Sequence, residues 1–110
     1  MKILYFLIII LSCNVLAEGK ANHFKVKYVR VDKNGKGIVK FLQPLAGTPS
    51  SCGSSHNSDL AFNTNTEGGK AIFSIVLTAY TTGKKIQAYG TNNCDIYGVV
   101  ESWNWGFIID

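Results

Sequence analysis

From His23 onward, apolar and polar positions alternate. Phe24, Val26 and Tyr28 fall on one face of an extended chain, with Lys25 and Lys27 on the other, which is the period of a half-buried strand. The polar lead at 18–22 carries no such period and is expected to be loose. Asp32-Lys33-Asn34-Gly35-Lys36 follows. Its Asn-Gly pair suits a tight hairpin because both positions tolerate positive φ. Residues 37–42 return as a second strand, stopped near Pro44, which has no N–H to give to a ladder. Residues 46–58 gather Gly, Pro, Ser and Asn into a long polar loop, and 60–63 make a short third strand.

The pattern then changes. Thr64-Asn65-Thr66-Glu67 offers a capping side chain followed by an acid in the first turn, a helix start, although Gly68-Gly69 weakens that turn. The helix is expected to run to about Thr82 and stop at Gly83, a residue suited to a left-handed cap. No charged residue occurs between Ala71 and Thr82, and Ser74, Thr78 and Thr81 form a narrow polar stripe. A surface helix normally carries a wide charged face, so this one is expected to be buried on most sides, either plugging a sheet or packing on a partner. Ser74, Thr78 and Thr81 are the candidate oligomer-interface residues.

A fourth strand is expected at 84–90 and a turn at 91–95. A fifth, C-terminal strand would place Val99, Trp103, Trp105, Phe107 and Ile109 on one face, with Glu101 interrupting. The order β-β-β-α-β-β predicts a mainly β fold with one helix (α+β), arranged as a five-stranded OB-like barrel.

The N-terminus adds a compartment. Met1-Lys2 and the apolar run at 3–11 are too short to span a bilayer but suit a signal peptide, with Val15-Leu16-Ala17 as its cleavage site. The expected organisation is a signal peptide at 1–17 and a single domain at 18–110, secreted or periplasmic, with no membrane span. A lipoprotein box ending at Cys13 is the minority alternative. With Cys13 in the signal, Cys52 and Cys94 remain as an even pair for a disulfide in an oxidising compartment. The full chain carries eleven Lys+Arg and seven Asp+Glu. Losing Lys2 leaves ten against seven, or +3, scattered along the chain, and nucleic-acid binding wants a clustered basic patch.

Candidate chemistry is sparse. Residues 50–59 hold serines, His56 and Asp59, every residue type of a hydrolase, but a catalytic triad is made in space and not by crowding in sequence. His23 and His56 lie in unrelated segments and no Cys-x-x-Cys pair exists, so no metal and no cofactor is expected. Tyr97, Glu101 and Trp103 are the ligand-binding candidates, as aromatic surfaces and one polar group on a shared strand face, although core packing of Trp103 and Trp105 against the helix is the stronger reading of that face.

Two resemblances are carried by particular residues. The Gly37-Ile38-Val39-Lys40-Phe41 strand, Pro49, Cys52, the apolar helix ending in Gly83-Lys84-Lys85, and Thr91-x-x-Cys94-x-x-Tyr97-Gly98-x-x-Glu101 resemble a set of small uncharacterised secreted proteins of Gram-negative bacteria. More distantly, Ala79-Tyr80-Thr81-Thr82-Gly83 and the basic-apolar strand at 84–89 resemble the B subunit of subtilase cytotoxin and its pertussis-like relatives. That resemblance implies an OB-fold subunit that assembles as a pentamer around central helices and binds cell-surface glycans. Aligned on Gly83, Gly90 stands where a sugar-contacting tyrosine is expected, so it carries the fold and none of the glycan-binding residues.

The resulting expectation is a non-enzymatic secreted binding module, with cell-surface glycan as the first ligand class. A protein-interaction or structural domain without a sugar site is the alternative, recognising an envelope component or a toxin-like A chain. A small hydrolase using the 50–59 loop is the remote third.

Overall fold

The computed structural model describes residues 18–110; the expected signal segment 1–17, with Cys13, lies outside them. The described chain is mainly β with one helix. In chain order it forms β1 (Gly19–Phe24), β2 (Val26–Val31), β3 (Lys36–Phe41), β4 (Ala46–Gly47), a 3-10 segment (Ser51–His56), β5 (Asp59–Asn63), α1 (Glu67–Thr82), β6 (Lys85–Gly90) and β7 (Trp103–Ile109). One sheet has the order β4-β1-β6-β7 and the other β2-β3-β5, and every ladder is antiparallel. A single parallel bridge, Ala61 to Ser102, links the two sheets, with the Ala61 N–H donating to the Glu101 carbonyl at 2.9 Å. The strands therefore form two open sheets rather than one closed five-stranded barrel.

The N-terminal expectation needs correction. Residues 19–22 are not loose: they form β1, paired with β6 on one side and β4 on the other. The chain then bends at His23, whose φ is +57°, and passes into the second sheet as β2. The β1–β6 register shifts between Asn22 and Phe24, and the β2–β3 register between Val26 and Tyr28. Each irregularity moves side chains off the simple alternation. Phe24 is therefore buried, Val26 half-buried and Tyr28 exposed. The following turn has positive φ at Gly35 alone, whose N–H returns to the Asp32 carbonyl at 2.9 Å.

Helix α1 starts and ends where the residues direct. Thr66 is the N-cap, its Oγ1 accepting from the Gly69 N–H at 2.9 Å, and Gly83 closes the helix at φ +71°. Only one stripe faces the core. Val76 and Ala79 are buried, with Ile72, Phe73 and Ile75 packed partly against a cluster that includes Phe24, Phe41, Phe62 and Ile86. Ala71, Ser74, Leu77, Thr78, Tyr80 and Thr81 are exposed. The helix is thus not buried on most sides. It lies along one side of the open sheets, and its uncharged face meets solvent in the single chain.

Candidate ligand-binding face

Glu101, one of the expected ligand contacts, is 1 % exposed. Its Oε1 accepts the Ser50 N–H at 2.8 Å, and its Oε2 accepts those of Gly19 and Asn92, each at 3.0 Å. One carboxylate thereby ties the start of β1, the 48–56 loop and the turn after β6. The Cys52–Cys94 disulfide fastens the last two of these covalently. These bonds give Glu101 a structural role inside the domain.

Tyr97 is engaged as well. Its hydroxyl donates to Asp32, whose two oxygens also accept from the Arg30 guanidinium at 2.9 and 3.1 Å. The bonds from Arg30, and secondarily from Tyr97, hold the Asp32 carboxyl below the usual carboxylate range. Burial, reinforced by the bond to Asp32, pushes the Tyr97 phenol up to about 12. The cluster clasps the β2–β3 turn to the 95–98 segment.

The third candidate, Trp103, is 6 % exposed and belongs to the main core. Trp105 was expected to share its face and does not. β6–β7 pairing places Tyr89 opposite Trp105 and Gly90 opposite Trp103, with a register shift between. Two steps along β7 thus match one along β6, and the extra residue turns the two indoles to opposite sides. Trp103 goes inward, and Trp105 is 53 % exposed.

The outward residues form the most distinctive surface of the sheet. Tyr89 and Trp105 stack at 4.4 Å between centroids with planes 21° apart, and Phe107 follows Trp105 at 6.1 Å. The Lys20 ammonium lies 5.8 Å from the Tyr89 ring centre. Behind this row, the Gln87 amide donates to Asn22 Oδ1 at 3.0 Å and to the Tyr89 hydroxyl at 3.1 Å. Registers explain the assembly, since Lys20, Tyr89 and Trp105 are mutual strand partners, as are Asn22, Gln87 and Phe107. The result is a stacked aromatic ladder fringed by an ammonium and the Asn22 amide, on antiparallel strands. Sequence reading missed it. The available signal was the Lys85, Gln87, Tyr89 period of β6 opposite Ile86 and Ala88; the bulge that exposes Trp105 leaves no such mark.

The 50–59 segment assembles no triad. Asp59 is buried and accepts from Lys40 Nζ at 2.8 Å, while His56 Nδ1 meets only the hydroxyl of adjacent Ser55, at 3.3 Å. Among the described residues no cluster of three or more His, Cys, Asp or Glu is arranged to hold a metal, and no helix is long and apolar enough to cross a membrane. On α1, Ser74, Thr78 and Thr81 are exposed, with the Thr81 hydroxyl turned back to the Leu77 and Thr78 carbonyls at 3.0 and 3.2 Å. Compared with known proteins, the chain matches no family model, no curated protein and no solved structure.

Proposed function

We propose that this protein is an exported, non-enzymatic binding module whose ligand is a glycan held on the Tyr89–Trp105–Phe107 ladder. The observation that carries the reading is an exposed aromatic ladder with hydrogen-bonding side chains along its border. A pyranose ring is amphipathic in the same sense. Its axial C–H groups make an apolar surface suited to aromatic rings, and its hydroxyls seek donors and acceptors such as the Lys20 ammonium and the Asn22 amide. Tyr and Trp have only two side-chain torsions each, so little entropy is lost when they engage a ligand.

The Cys52–Cys94 disulfide favours an oxidising compartment, in keeping with a signal segment at 1–17. The architecture reads as OB-like when β1 and β2 are counted as one bent strand shared by both sheets. The order is then β-β-β-α-β-β, apart from the two-residue β4, and the Ala61–Ser102 bridge joins β5 to the start of the last strand. The exposed, uncharged face of α1 with Ser74, Thr78 and Thr81 is the surface on which a homo-oligomer, pentameric by the toxin-like resemblance, would pack.

A protein partner is the second reading. Trp105 and Phe107 lie on β7, an edge strand without a charged side chain from Trp103 to Ile109. Such an edge accepts an added strand readily. A glycan array probed with labelled exported protein and its Trp105→Ala variant separates the two. Saturable glycan binding lost in the variant, with an unchanged circular-dichroism spectrum, supports the first reading. No binding to any glycan, or equal binding by the variant, removes the ladder as a sugar site.

A further inference from the structure

On a part of the molecule separate from the ladder, an open cleft of about 560 Å³ lies between the first turns of α1, the end of β5 and the 95–103 segment. That volume is within the range of small-ligand sites. Its apolar wall is Ile72, Ile96 and the indole of Trp103. Trp103 is more than nine-tenths buried, and its indole N–H has no hydrogen-bond partner among the described residues. No buried polar side-chain atom among them lacks a partner, so this N–H is not fully buried, and Trp103 lines the cleft.

Positive potential meets that wall from two directions. Thr66 caps the Gly69 N–H, whereas Gly68 lines the cleft with open space over its Cα. The backbone there is the positive end of a 16-residue helix. Lys36 brings an ammonium from the start of β3, 6.0 Å from the Tyr97 ring centre and outside ion-pair distance of any described carboxylate. Asp95 is the one carboxylate in the lining. Its Oδ1 is held by the Ser102 hydroxyl at 2.5 Å, and its charge opposes a second anionic group on that side.

We infer that this cleft binds a small aromatic monoanion, with its carboxylate between Lys36 and the Gly68 end of α1 and its ring against Ile72, Ile96 and Trp103. The anion complements the ammonium and the helix end, the ring fills the apolar wall, and Asp95 selects against dianions.

The test is a titration of the ¹⁵N-labelled exported protein with phenylacetate, followed by amide and indole resonances. Saturable shifts are expected at Gly68, Gly69 and the Trp103 indole N–H, with the Trp105 indole, outside the cleft, as the unmoved reference. Lys36→Ala should weaken phenylacetate at least tenfold, and the uncharged isostere 2-phenylethanol should bind at least tenfold more weakly than phenylacetate. Trp103→Phe, with its fold checked by the amide spectrum, should also weaken binding. Non-saturating shifts, equal shifts at both indoles, or equal affinity for the neutral isostere would overturn the site. So would unchanged affinity in Lys36→Ala. A null glycan array leaves these expectations untouched, because the ladder and the cleft share no residue.

Discussion

The carboxylate of Glu101 occupies the space that a side chain at position 90 would need: a β-carbon on Gly90 would lie 2.0 Å from Glu101 Oε2. Gly19 makes a looser approach, its β-carbon 3.0 Å from Oε1. Gly90 is therefore the residue this buried acid requires. Any side chain at 90 would push the carboxylate off the three N–H groups it satisfies.

Gly90→Ala and Glu101→Ala should accordingly destabilise by similar amounts. Each strands buried donors whose loss costs about 1–3 kcal/mol apiece, so at least about 3 kcal/mol is expected from either. Glu101→Gln keeps the shape but turns an NH₂ toward a backbone N–H, at a smaller cost of about 1–3 kcal/mol. Urea midpoints at constant slope measure all three. Wild-type stability in Gly90→Ala would mean that Glu101 has another accommodation.

Cys52 and Cys94 are 42 residues apart in sequence. Closing a loop of that length restricts the unfolded chain by about 4 kcal/mol in the entropy model. Reduction, or Cys52→Ala with Cys94→Ala, should lower the unfolding free energy by that order. Denaturation with and without reductant tests it, and mass spectrometry should show a gain of two hydrogens on reduction.

Gly68 and Gly69 are neighbours with opposite requirements. A β-carbon on Gly68 meets nothing within 4 Å, whereas one on Gly69 would lie 1.7 Å from the Asn63 carbonyl oxygen. Gly68→Ala should stabilise by about 0.5–1 kcal/mol through helix propensity and a less flexible unfolded chain. Gly69→Ala should destabilise by more than about 2 kcal/mol, since backbone must move. Thermal melts of the two variants should shift in opposite directions.

The Tyr97–Asp32 bond makes stability depend on pH at both extremes. With its folded pKa near 12, above the ordinary value of 10, Tyr97 contributes stability that is full below pH 10 and lost as pH rises to about 12. Asp32, depressed below 3.8 mainly by Arg30 and then by Tyr97, contributes stability present above its unfolded value and lost as pH falls through the folded one. An ultraviolet titration should show one tyrosine ionising near 12. Asp32→Asn should lower that midpoint only in part, because burial is the larger cause. Tyr97→Phe should flatten the alkaline fall in stability.

Local chemistry made parts of this molecule legible in its residues. Thr66 and Gly83 bound α1 as expected because a capping hydroxyl and a left-handed glycine act within a few residues of themselves. Asn34-Gly35 turns the β2–β3 hairpin, and two remaining cysteines left one pairing. The strands at 37–42 and 84–90 carried their own apolar period and are found as β3 and β6.

What the residues alone left open depends on partners distant in the chain. A bulge is a mismatch between two strands, so the exposure of Trp105 and burial of Trp103 follow from β6 as much as from β7. β1 lacks a strong period because it is held by β6, β4 and the Glu101 carboxylate, 82 residues from Gly19. The sequence by itself determined the elements set by short-range forces, including the mainly β composition, the helix and its ends, the hairpin and the cysteine pair. Only the tertiary structure decided which aromatic side chains face solvent and that Glu101 is an internal tie. Burial and register are properties of two segments brought together, and neither segment carries them alone.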